Sequence, residues 1–77
     1  MSTYYFHVRR GGVIYEDREG FELDGIKNAV LHARDDARAV MRDEPEVTAD
    51  DQSIEVVDEK GNTVRTVPFV TVAPGRA

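Results

Sequence analysis

Chemistry-bearing residues are sparse in this chain, and their spacing argues against most kinds of catalysis. His7 and His32 are the only histidines, Ser2 and Ser53 the only serines, and there is no cysteine. A nucleophile needs a base within hydrogen-bond reach and a third group to orient that base. Ser2 stands near the terminus and Ser53 opens an apolar run, so no Ser/His/Asp or Cys/His arrangement emerges. His32 precedes Asp35 and Asp36 by three and four residues, a helical spacing that could touch a metal ion. A metal site needs three ligands and neighbours that orient them, and no such set is evident, so no metal is expected. Paired carboxylates such as Glu16 and Asp17 do acid-base work only where a desolvated pocket shifts their affinity for protons. No phosphate-binding loop, dinucleotide fingerprint or zinc-finger spacing occurs, and a turn accounts for Gly11-Gly12. The expectation is a non-enzymatic chain with no catalytic residue and no cofactor.

Any pocket would have to be built on a small scaffold. Seventy-seven residues make one domain, in a size range where about 60% of the unfolded chain's surface is buried. With 40% hydrophobic, 32% charged and 8% aromatic residues, the composition is that of a folded domain, despite a mean hydropathy of -0.48. Without cysteine, neither disulfides nor thiolate-bound metal can supplement the thin core, so packing or self-association must. The N-terminal stretch lacks an apolar signal segment and no run is long enough for a membrane span, which reads as a cytoplasmic protein away from membranes. The net charge of -5 repels phosphate backbones at long range and makes nucleic acid an unfavoured partner. Glu16 to Asp24 carries five acids and one base, and Asp43 to Glu59 eight acids and none, the pattern of solvated loops.

Hydrophobic periodicity supplies the elements. Aromatic and β-branched residues over about 3–9 and 13–17 flank Gly11-Gly12, a dipeptide suited to a two-residue hairpin turn. This register opposes Arg10 to Val13 and Val8 to Tyr15, placing Tyr4, Phe6, Val8, Val13 and Tyr15 on one face and Tyr5, His7, Arg9 and Ile14 on the other. A short loop through Gly20, Phe21 and Leu23 leads to Asp24 as N-cap. A helix over about 24–43 follows, with Ile26, Ala29, Val30, Ala33, Ala37, Val40 and Met41 at three- and four-residue spacing. Pro45 limits it, and the alanines let it lie close to a sheet. A second hairpin spans about 53–58 and 63–69, turning at Gly61. Opposing Asp58 to Asn62 sets Glu55 against Arg65 and puts Ile54, Val56 and Val64 on the other face. Val67 and Phe69 share Arg65's parity, so either the strand bulges near Pro68 or both residues point away from the helix. The tail 73–77 reads as mobile.

The string Tyr5-Phe6-His7-Val8-Arg9 with Gly11 or Gly12 is followed by Asp17, Gly20, Glu22 and Leu23, then by the alanine-rich helix. Ile54-Glu55-Val56, Asp58-Glu59, Gly61 and Val67-Pro68-Phe69 complete a pattern. Over most of its length the chain resembles a family of short uncharacterised alphaproteobacterial domains of unknown function. The resemblance implies a shared fold and brings no activity or site residues. Gly25 departs from the pattern, which has a larger residue after the Asp, and implies a looser helix start.

Two surfaces remain as candidates. Lys27, Arg34, Arg38 and Arg42 fall on one flank of the helix and Asp35, Asp36 and Asp43 on the other. Three arginines at four-residue spacing repel one another mildly. Their plain role is to cover apolar surface and pair with loop acids such as Glu16, Glu19 or Glu46; the functional alternative is to bind an acidic partner or nucleic acid. The second surface is the sheet face away from the helix, where Tyr5, His7, Arg9, Ile14 and Val57, with Val67 and Phe69 if they point that way, are apolar for a wet face. Scattered exposed apolar residues are common on such faces; otherwise this one is covered by a protein partner or by a second copy in a homodimer. Base stacking on Tyr5 is disfavoured by the charge and by the lack of an RNA-binding string. The expected architecture is an α+β ββαββ two-layer sandwich, a four-stranded antiparallel sheet with one helix on one face and its strand order open. The expected role is a protein-interaction module.

Overall fold

A computed structural model describes residues 1–44 and 49–72. The alternating run from Tyr4 to Val8 forms the middle of β1 (Ser2–Arg10), which turns at Gly11-Gly12 into β2 (Val13–Tyr15). Their register is the expected one, Val8 opposite Tyr15 and Arg10 opposite Val13. Gly11 takes φ +58, and its N–H donates to the Asp51 carbonyl at 2.9 Å, tying the hairpin tip to the start of the second hairpin.

The chain then departs from expectation. The first hairpin's return strand ends at Tyr15, and Phe21-Glu22-Leu23, read as loop, forms a further strand, β3 (Phe21–Leu23). β3 pairs antiparallel with Ser2 to Tyr4, on the same edge of β1 that β2 occupies further along. β2 and β3 act as one edge strand interrupted by the excursion 16–20. Among the described residues the sheet therefore has five strands, in the order β2-β1-β4-β5 with β3 beside β1.

α1 (Gly25–Asp43) follows. Asp24 occupies the cap position but makes no side-chain capping bond; its carbonyl instead accepts Asn28 Nδ2 at 2.8 Å. Ala29, Ala33 and Ala37 are fully buried, because only a methyl-sized side chain fits between a helix and a sheet in close contact. β4 (Gln52–Val57) pairs antiparallel with β1, so the two hairpins meet at the centre of the sheet with β5 on its far edge.

β5 (Thr63–Pro68) corrects the expected register. Val57 opposes Thr63 but Val56 opposes Arg65, so Val64 is an extra residue in a bulge, and Glu55 faces Thr66 instead of Arg65. The bulge lies nearer the turn than Pro68. One inserted residue inverts the parity of everything after it. Val67 thus opposes Ile54 and is buried, and Phe69, opening a 3-10 turn (Phe69–Thr71), is fully buried. Both belong to the core with Tyr4, Phe6, Ile54 and Val56, and neither lies on the open face. The turn itself is as expected: Asp58 N–H donates to the Asn62 carbonyl at 2.9 Å, and Gly61 has φ +87. The reading of 73–77 as a mobile tail, the helix limit at Pro45 and Glu46 as a partner for arginine fall outside the described residues.

Candidate interaction surface

An α-helix is about 10 Å across and neighbouring strands lie about 4.8 Å apart, so one helix covers two to three strands. α1 packs mainly on β4 and β5 and reaches β1 and β3. β2 lies beyond this cover. Val13 and Tyr15 share the helix side of the sheet with Val8, yet they are 53% and 56% exposed. Ile14, on the opposite face, is 43% exposed, and Phe21 of β3 is 52% exposed. The hairpin end thus shows apolar side chains on both faces of an edge that no strand among the described residues pairs. A hollow of about 350 Å³ lies at the other hairpin junction, beside Arg9, Asp51, Ser53 and Pro68. A second, of about 250 Å³, lies beside Val8, Arg10 and Tyr15.

Asp17 organises this edge. Where the strand breaks, its Oδ2 accepts the Phe6 N–H at 3.1 Å, and its Oδ1 accepts those of Glu19 at 3.0 Å and Gly20 at 3.2 Å. The Asp17 N–H donates to His7 Nδ1 at 3.0 Å. Burial alone would raise the carboxyl's pKa, but the three donors and nearby His7 outweigh it and hold the pKa below the ordinary value. Behind it, His32 stacks on Phe21 with ring centres 4.6 Å apart, tilts against Phe6 at the same distance, and sets Nε2 3.5 Å from Asp36 Oδ2. Burial, opposed by His32 and assisted by Asp35 and Asp17, raises the pKa of Asp36. His32 is therefore half-buried against aromatic rings. Among the described residues no three His, Cys, Asp or Glu side chains gather where they could hold a metal ion.

The open face is less exposed than its residue types suggested. Tyr5 and His7 are half-buried, Val57 beside Tyr5 is only 8% exposed, and Arg9 Nε meets Glu55 Oε2 at 2.8 Å. Of the candidate residues on this face, Ile14 stays the most exposed of the aliphatic ones, while Val67 and Phe69 have left it for the core. On the helix, Arg38 pairs with Asp35 at 3.1 Å and Arg42 with Asp43 at 3.7 Å, so neither uses the expected acids Glu16 and Glu19. Lys27 is exposed and Arg34 half-buried.

Periodicity assigned Val13, Tyr15 and Phe21 no part in a surface. Strand parity correctly gave the side for Val13 and Tyr15, but parity does not tell how far a helix reaches. The relevant signal was the ratio of one helix to several strands, which guarantees an uncovered edge.

A family model described as a domain of unknown function, DUF6894, matches residues 3–71, and the chain belongs to that family. No curated protein and no solved structure matches it.

Proposed function

We propose that this member of a domain family of unknown function acts in the cytoplasm as a non-enzymatic protein-interaction module, with the β2 edge and the adjoining open face as its contact surface. The observation that carries this reading is the edge strand itself: Val13, Ile14 and Tyr15 are consecutive and all exposed. Apolar residues presented on both sides of an unpaired strand are a liability in a protein that stays alone, and natural edges are ordinarily blunted by charge or proline. Capture of partners from native lysate by the wild-type chain, compared with an Ile14→Lys/Tyr15→Glu variant, tests it. A partner lost by the variant supports the reading, and an unchanged set of partners overturns it. A second copy would use the same face, and sedimentation of the free chain at about 0.1 mM separates that form from binding to a different protein.

A second reading, an acidic partner or nucleic acid on Lys27, Arg34, Arg38 and Arg42, is favoured by Lys27 and Arg34, which have no ion-pair partner among the described residues. It predicts binding that weakens steeply with salt and is abolished by Arg34→Ala/Arg38→Ala; salt-independent affinity overturns it. The pairing of Arg38 with Asp35 and Arg42 with Asp43 leaves that edge with less free charge than the residue count suggests.

A further inference from the structure

We infer that the partner segment at the β2 edge is an extended, positively charged stretch of another protein, added as a short strand against Val13–Tyr15. This rests on the reading of the edge as a contact surface and names the chemistry of its occupant. β2 ends the strand order, so alternate residues of Val13–Tyr15 direct backbone N–H and C=O groups away from β1, and among the described residues no strand meets them. An extended chain satisfies that row and sets alternate side chains on the two faces. On the helix side it finds Val13, Tyr15 and the hollow of about 250 Å³ beside Val8, Arg10 and Tyr15. On the other it finds Ile14.

Charge decides which extended chain fits. The two bases nearest the edge are already neutralised, Arg9 by Glu55 at 2.8 Å and Arg10 by Glu44 at 3.5 Å. The acids beyond Tyr15 are not: among the described residues Glu16, Glu19 and Glu22 have no ion-pair partner, and Asp17 is held ionised by its N–H donors. Arg18 is the one base among them. The edge therefore presents an apolar strand that runs into uncompensated negative charge. Its complement is apolar at alternate positions, with lysine or arginine past the end that lies beside Glu16. A second copy fits poorly: antiparallel self-pairing sets the Glu16 end of each β2 beside the other copy's Gly11-Gly12 turn, where Arg9 and Arg10 are already paired with Glu55 and Glu44, and both chains carry a net charge of -5. The excursion 16–20 also limits the added strand to about the length of β2, since no strand geometry continues beyond Tyr15.

The test uses the full chain labelled with ¹⁵N and two heptapeptides, one alternating valine with lysine and the other valine with glutamate. The expected result is movement of the Val13, Ile14 and Tyr15 amide signals by the lysine peptide, at an affinity about tenfold above that of the glutamate peptide, a preference that about 0.5 M salt removes. Glu16→Lys/Glu19→Lys, changes at exposed sites, is expected to reverse the preference while leaving the spectrum of β4 and β5 in place. Equal binding of both peptides at β2 overturns the charge inference and leaves the contact surface standing. Binding of neither peptide at β2, or concentration-dependent movement of these signals in the free chain, overturns the inference in favour of an edge that is unused or pairs with a second copy.

Discussion

The Asp17 carboxylate accepts the Phe6 backbone N–H at 3.1 Å and so occupies the place that a neighbouring strand would otherwise take beside the middle of β1. By also holding the N–H groups of Glu19 and Gly20, it folds the excursion that divides β2 from β3. One side chain thereby decides that the edge is two short strands and not one long one.

Replacing Asp17 by Asn is expected to destabilise the domain by about 2 kcal/mol at neutral pH, because the amide group cannot accept from all three donors as a carboxylate does. The folded pKa of Asp17 is lowered, so its contribution is complete above the ordinary carboxylate range and disappears as pH falls through the lowered value. Thermal melts of wild type and variant should therefore differ at pH 7 and at pH 5, and converge toward pH 2. A gap of constant size down to pH 2 would contradict this.

Asp36 behaves with the opposite sign. Its pKa is raised, chiefly by burial, so ionising it opposes folding; this cost develops as pH rises from the ordinary carboxylate range and persists above the raised value. The Asp36→Asn domain should melt slightly higher than wild type at pH 8 and equally at pH 2.5. The gain is small because the side chain is 47% exposed and water screens it. A lower melting point for the variant at pH 8 would show that the contact with His32 outweighs burial.

Gly20 cannot become alanine without displacement. At φ +73, an added Cβ would stand 2.7 Å from Thr3 Cγ2 and 2.9 Å from Tyr5 Cε2. The combined backbone and steric strain is expected to cost about 1–3 kcal/mol. Hydrogen exchange should report the loss first at the amides of β3 and the excursion. Unchanged protection there would remove the close approach from the account.

Ala33 is fully buried under the helix, and leucine at this position should separate helix from sheet. Overpacking of this kind costs about 1–3 kcal/mol, a shift of roughly 4–24 °C in the melting temperature of a domain this small. The exposed Leu31→Ala change on the same helix serves as the control and should leave the melt within a degree or two.

Much of the architecture was legible in local pattern. The helix followed from the spacing of Ala29, Ala33 and Ala37, the first hairpin register from Gly11-Gly12, and the second turn from Asp58 and Gly61, since each depends on interactions within a few residues. β3 escaped because three residues of apolar-polar-apolar alternation are too short to stand out from a loop. The two faces of β5 were misassigned because a single bulged residue, Val64, inverts parity, and nothing within 63–68 marks it except the need of Val67 and Phe69 for a core.

The sequence by itself determined one helix, two hairpins, a thin cysteine-free core and an acidic balance, because residue type and short-range periodicity carry that information. Tertiary structure alone decided the order of strands, the burial of Val67 and Phe69, the joining of Asp17 to Phe6 and the exposure of Val13, Ile14 and Tyr15. Those depend on which segments meet across the chain and on how many strands a single helix is wide enough to cover, and neither quantity is written in any local stretch of residues.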